Sequence, residues 1–220
     1  MNHGVMKRLA GMAGAAVLAS SLLSACVGPL LVGGAMVGGT LVAVDRRTSG
    51  AQLDDEAIEL RAASQIRANL GTRVRASVTS YNRQVLLTGE VPNQQDRQRV
   101  EEVVKSVENV ASVVNELAVL NSPSLMDRSA DTLLTGRIKA MFIDTKDLQA
   151  QAFKVVTERN TVYLMGRVTQ READRATEVV RSMSGVQKVV RLLDIISEQE
   201  LQRLGTVPAG NAQPAAATRL

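Results

Sequence analysis

Val162–Val168 reads VYLMGRV, and seventy-seven residues earlier Val85–Val91 reads VLLTGEV. Val, Leu, Gly and Val hold the same four places in both. The match spreads outward at one register through Ala76/Phe153, Val78/Val155 and Ser80/Thr157. After a one-residue slip it resumes at Arg99/Arg175, Glu102/Glu178, Val103/Val179, Val104/Val180, Val113/Val189, Val114/Val190 and Leu117/Leu193. A repeat of about seventy residues exceeds a solenoid unit and suits a small domain, so two tandem copies of one fold are expected.

Each copy reads as αββαβ. In the first, Asp54, Asp55 and Glu56 place negative charge at an expected helix start, where the helix dipole favours it. Ala62, Ala63, Ile66 and Leu70 then share one face. A strand over 75–81 and a strand over 84–91 flank Asn82-Arg83, and Asn tolerates the positive φ of a tight hairpin. Pro92 and Asn93 stop the second strand and start a helix with a core stripe of Val100, Val103, Val104 and Val107. Ser112–Leu120 closes the copy as a strand, and Asn121–Ser124 links to the next.

The second copy repeats the plan, with its hairpin at Arg159-Asn160 and a capping box from Thr169 and Glu172. Ala173, Ala176, Val179 and Met183 supply its buried stripe, and 187–196 its last strand. Ser197 and Glu200 cap a brief extra helix to about Leu204, before a Pro- and Ala-rich tail. Gly89 and Gly166 mark a bulge or a place where a helix packs close to the backbone; a phosphate-binding role is the sharper alternative. The third strands are ambiguous, because Val113-Val114 and Val189-Val190 put apolar groups on both faces.

The first 25 residues have the form of a secretory signal, with Lys7 and Arg8 before the apolar stretch Leu9–Leu23. Leu23-Ser24-Ala25-Cys26 follows and resembles a bacterial lipobox. That resemblance implies that Cys26 becomes the lipidated N-terminus and that Val27, rather than Asp, favours the outer membrane. The alternatives are a free buried Cys or an ordinary signal cleaved ahead of it. Residues 26–53 then form a Gly-rich tether and polar hinge. Val27–Val44 is long enough for the lower limit of a membrane span, but six of its positions are Gly or Pro.

The chain carries one Cys, one His, two Phe, two Tyr and no Trp, with a formal charge of +4. Removal of the signal takes His3 with it and lipidation takes Cys26, which excludes Cys–His and Ser–His catalysis and His- or thiolate-based metal sites. No Asp or Glu stands in a motif that suggests a catalytic pocket. No enzyme activity, cofactor or metal is therefore expected. Nor is nucleic acid, since no dense basic run is interleaved with aromatics.

Two αββαβ copies, V-x-L-x-G-x-V on the second strand and Val113-Val114-Asn115-Glu116-Leu117 on the third resemble BON domains. With the lipobox and tether, the chain is similar to the dual-BON outer-membrane lipoproteins of Gram-negative bacteria over about 26–197. The resemblance implies an α+β fold of two BON domains, 54–121 and 129–197, joined by a linker at 122–128 and followed by a helix and tail over 198–220. Each domain is a small three-stranded mixed sheet packed with two helices. It implies a lipid-anchored protein on the periplasmic face of the outer membrane.

Charge separates the copies: residues 54–121 hold 8 basic and 10 acidic side chains, and residues 129–197 hold 11 and 8. The first helix of the second copy has two apolar sectors. Leu134, Ile138, Met141 and Phe142 are expected to face their own sheet. Leu133, Gly136, Ala140 and Ile143 form the other sector, flanked by Arg137 and Lys139; burial of Leu133 and Ile143 against the first copy is the alternative. In the family this helix docks on anionic phospholipid such as phosphatidylglycerol or cardiolipin, so Leu133, Arg137, Lys139, Phe142 and Ile143 are the phospholipid-binding residues that the resemblance nominates. The family pattern can carry a Trp at the place of Leu133, an interfacial anchor this chain lacks and for which Phe142 would compensate in part. Family membership further implies a part in outer-membrane integrity and at division sites. The rival expectation is a periplasmic module that docks an envelope or cell-wall-remodelling protein.

Overall fold

The computed structural model describes residues 45–120 and 125–206. The signal, Cys26, the Gly-rich segment and the Pro- and Ala-rich tail lie outside the described residues. In the first copy, helix α1 (Ser49–Leu70) leads into the antiparallel strands β1 (Arg75–Tyr81) and β2 (Gln84–Val91). Helix α2 (Gln94–Lys105) then crosses to β3 (Ser112–Asn115), which lies parallel to β2. The short β4 (Ala118–Val119) continues along β2. In the second copy, α3 (Leu125–Asp144) and one 3-10 turn (Ala150–Ala152) precede β5 (Phe153–Glu158), β6 (Thr161–Thr169), α4 (Gln170–Arg181) and β7 (Lys188–Ile196). Again the hairpin is antiparallel and the crossover strand parallel. Helix α5 (Glu198–Thr206) follows, and Ser197 Oγ accepts from Glu200 N at 3.1 Å as its cap.

Local sequence explains these elements. Asn82, Arg83, Arg159 and Asn160 all have positive φ, the backbone of a two-residue turn that matches strand twist. Asn93 caps α2 through Asp96 N, and Thr169 with Glu172 forms the reciprocal capping box of α4. A Cβ on Gly89 would meet the Arg75 carbonyl oxygen at 2.1 Å, and one on Gly166 that of Ala152 at 2.3 Å. The close neighbour of both glycines is thus the backbone leading into or along the partner strand, rather than a helix.

Each copy has its own core on one sheet face. Ile58, Ala62, Ile66, Val85, Leu87, Val100 and Val104 build the first; Leu134, Ile138, Phe142, Val162, Leu164, Ala176 and Val180 build the second. A third cluster joins the copies: Tyr81, Leu86, Tyr163 and Met165 are buried together, with Val114, Val156, Val190 and Leu192 against them. The double-sided apolar pattern of the third strands follows from this. Val113 and Val189 serve the domain cores, and Val114 and Val190 the junction.

Four expectations are corrected. Helix α1 begins at Ser49, because the Thr48 hydroxyl caps it by accepting from Ala51 N at 3.1 Å. The expected hinge is therefore helix from that point, and Asp54–Glu56 lies inside it. The closing strand of the first copy breaks at Glu116-Leu117, where Asn115 Oδ1 accepts from Leu117 N and Leu117 turns into the core. Met141 does not face its sheet; it is 43% exposed, while Ala63 is also on the outer side of its helix.

Candidate functional site

Helix α3 is held down by its inner face. Leu134, Ile138 and Phe142 recur every four residues into the core, and the Phe142 ring lies 5.1 Å from that of Phe153. Asp131 on the same face accepts from Arg159 N at 2.7 Å and Asn160 N at 3.0 Å. One carboxylate thereby satisfies both amides of the β5–β6 turn and fixes the helix against it. Asp55 does the same for Asn82 N and Arg83 N at 2.7 and 2.8 Å, and also accepts from Ser80 Oγ at 2.6 Å. Burial opposes the charge on Asp55, but hydrogen bonds from Ser80, Arg83, Arg47 and Asn82 outweigh it and hold its carboxyl below the usual range. The repeated Asp was present in the sequence; its target, a turn 27 to 29 residues away, was not legible there.

With this face fixed, the opposite face of α3 is forced outward. Leu133 is 69% and Ile143 71% exposed, and the exposed Gly136 and Ala140 lie between them on the same side. Arg137 borders this apolar ridge on one side and Lys139 on the other, both exposed. Of the five residues that the sequence nominated, four therefore share the outer surface. Phe142 does not: it is 1% exposed, because the core position that packs it against Phe153 leaves no ring surface for a ligand. Met141 is an exposed apolar group on this helix that the sequence assigned inward.

Several cations elsewhere in the chain are tightly paired. Arg46, Arg47, Arg73, Arg75, Lys154, Arg167 and Arg191 all hold carboxylates within 3.0 Å. Among the described residues Arg128, Arg137 and Lys139 on α3, and Lys146 just after it, hold no carboxylate partner. A cation without a partner carries its full field into solvent.

Beside the ridge, α3 and the edge strand β5 enclose a groove of about 530 Å³. Arg128, Thr132, Gly136 and Lys139 form its helical wall, and Glu158 and Arg75 of the first copy close its end. Thr135 Oγ1 donates to Thr157 Oγ1 at 2.8 Å across its floor. Arg75 bridges Glu90 and Glu158 at 2.5 and 2.6 Å, so the closed end is internally paired. Among the described residues no group of three or more His, Cys, Asp or Glu side chains is placed to hold a metal ion. No described helix is long and apolar enough to cross a membrane.

Comparison with known proteins agrees with the twofold repeat. The model of the BON domain matches residues 54–121 and again 130–197. The outer membrane lipoprotein DolP of Haemophilus influenzae is 36% identical over 195 residues, 87% of this chain and 97% of that protein. A 21 kDa hemolysin of Actinobacillus pleuropneumoniae is 32% identical over 70% of this chain and 80% of its own length. The osmotically-inducible protein Y of Escherichia coli is 31% identical over 64% and 72%.

Proposed function

The chain belongs to the BON-domain family, and from that premise we propose that it is a non-enzymatic, lipid-anchored protein on the periplasmic face of the outer membrane whose second domain binds anionic phospholipid through α3. The observation that carries this reading is the outward ridge of Leu133, Gly136, Ala140 and Ile143, flanked by Arg137 and Lys139 without carboxylate partners. A helix that spends one face on its core and exposes a second apolar face between cations suits a membrane interface. Leu133 and Ile143 enter the acyl boundary, while Arg137 and Lys139 meet lipid phosphates. Each well-placed cation contributes roughly 1 kcal/mol near an anionic surface. Met141 adds apolar area in place of the buried Phe142.

Cys26 is the attachment point in this reading, supported by the lipobox-like sequence and by the name of the Haemophilus relative. The anchor keeps the chain at the bilayer, and α3 then selects for phosphatidylglycerol or cardiolipin. Membrane integrity and division-site placement are the cellular roles proposed with it.

The described residues 45–120 and 125–206 belong to one compact unit, so the chain from residue 43 on can be tested without the anchor. Co-sedimentation with phosphatidylglycerol or cardiolipin vesicles is expected to exceed that with zwitterionic ones and to weaken with salt. Leu133→Asp with Ile143→Asp abolishes it. Binding that is indifferent to lipid charge and to Arg137→Glu with Lys139→Glu overturns the mechanism. The ridge would then be left to the rival reading, an envelope protein partner.

A further inference from the structure

The two copies finish their sheets differently. In the first, the strand beside β2 breaks at Glu116-Leu117, so that β3 keeps four residues and β4 two. In the second, β7 runs unbroken over nine residues, Lys188–Ile196, and pairs with β6 along its whole length. Among the described residues its other edge pairs with no strand. Short strands, breaks, prolines and bulges are how proteins blunt an open edge, and β7 has none of them. The edge strands β1 and β5 are instead tied to each other across the junction: Arg75 pairs with Glu158, and Lys154 Nζ donates to Ser80 O at 3.1 Å. Helix α5 turns back to β6, where Glu200 pairs with Arg167. On β7 the side chains of Val189, Val190, Leu192 and Leu193 stay half-buried, and Ile195 is 48% exposed.

From this unblunted edge and its charge pattern we infer that a second copy of the chain docks on β7, strand against strand and antiparallel, about a twofold axis at Arg191. The strand reads KVVRLLDII, with Lys188 and Asp194 equally far from Arg191 on either side. An antiparallel pair centred there sets Lys188 of each copy opposite Asp194 of the other, on one face of the joined sheet. It also sets Val189 opposite Leu193 and Val190 opposite Leu192, so the half-buried aliphatic groups cover one another. A centre one residue further on would set Arg191 against Leu193 and Asp194 against Val190, with neither charge met. Arg191 meets its own counterpart, but each already pairs with Asp174 of its own α4 at 2.9 Å. Lys188 is exposed, and Asn82 and Arg167 both reach Asp194 through Oδ2 at 3.4 Å, which leaves Oδ1 for a further cation. The twofold axis stands perpendicular to the sheet, with α3 and α4 on its core face. Both copies therefore present α3 on the same side, toward one bilayer. Copies held on one bilayer meet at raised effective concentration, which suits a contact of one strand pair.

The test uses the full chain, held by its anchor in phosphatidylcholine vesicles, with a donor or an acceptor dye on the C-terminus. Energy transfer above the level of random crowding is expected, falling as lipid dilutes the protein. Lys188→Glu brings two acidic groups together and Asp194→Lys two basic ones, so either variant alone is expected to drop to the crowding level. A one-to-one mixture, with the donor on one variant and the acceptor on the other, restores both ion pairs and is expected to recover transfer. Within one copy residues 188 and 194 lie about 20 Å apart along the strand, so recovery cannot arise inside a chain. Leu133→Asp with Ile143→Asp is expected to transfer as wild type, which separates this contact from the lipid one. Wild-type transfer at the crowding level overturns the proposal and leaves the edge to a strand of another protein. Single variants that transfer as wild type place the contact elsewhere and overturn it too, as does a mixture that fails to recover.

Discussion

Arg46 and Glu172 form a buried two-pronged ion pair, Nη1 to Oε2 at 2.7 Å and Nη2 to Oε1 at 2.8 Å, between residues 126 positions apart. It ties the segment just before α1 to the capping box of α4. The neighbouring Arg47 turns the other way, to Asp55 at 2.7 Å and over the Tyr81 ring at 4.4 Å. Two consecutive arginines thereby reach both copies. Arg46→Ala leaves Glu172 buried without its cation and is expected to cost about 3 kcal/mol or more. Urea unfolding measures it; a change under half that size would show that water replaces the guanidinium. Paired replacement by Arg46→Met and Glu172→Gln is expected to cost less than Arg46→Ala alone.

Glycine substitutions separate three positions that look alike in sequence. Gly89→Ala and Gly166→Ala drive a Cβ into a strand-edge carbonyl oxygen, and Gly89 also has φ of +114°. Each is expected to cost about 1–3 kcal/mol or more, because a backbone oxygen cannot rotate away. Gly136→Ala meets open space and is expected to stabilise by up to about 1 kcal/mol. Thermal melts of the three variants check the ordering.

Phe142 and Leu133 stand nine residues apart on one helix and are expected to respond oppositely. Phe142→Ala removes a buried ring packed on Phe153 and costs about 3–5 kcal/mol. Leu133→Ser changes stability by under about 0.5 kcal/mol but lowers vesicle binding. A loss of vesicle binding from Phe142→Ala without loss of stability would return the ring to the surface.

How far these features were legible depends on the range of the interactions behind them. The hairpins, the capping box and the valine stripes are local patterns, and the repeat made each visible twice. Asp55 and Arg46 were misread for the opposite reason. Their partners in the hairpin turn and the capping box lie 25 or more residues away, so acidic residues near a helix start looked like dipole charges, and an arginine in a polar stretch looked like hinge. The paired valines of β3 and β7 announced a second buried face without naming its partner, which is the other sheet. On α3 periodicity separated two apolar sectors correctly, but a residue at a sector boundary, Met141, took the exposed side. Phe142 was placed on the core by its angle and on the lipid by its aromaticity; the angle decided.

The carboxylates that lock the copies give the stability a defined pH dependence. Burial disfavours the Glu172 charge, but hydrogen bonds from Arg46 and the Thr169 amide overcome it, and its carboxyl is held below the usual value of 4.5. Asp55 is likewise held below 3.8. For both groups the unfolded chain takes up protons first as pH falls. Their contribution is therefore complete above those unfolded values and is lost as pH drops through the lower folded ones. Glu158 runs the other way: burial pushes its carboxyl up against the opposing pull of Arg75, so its contribution falls as pH rises through the raised value. A urea midpoint followed from neutral pH into the acid range is expected to hold and then fall below about 4.5. Glu172→Gln keeps the side-chain volume, lowers the midpoint at neutral pH and flattens that acid limb. An unchanged slope in the variant would mean that Arg46 and Glu172 are as well paired with water in the unfolded chain as with each other in the folded one.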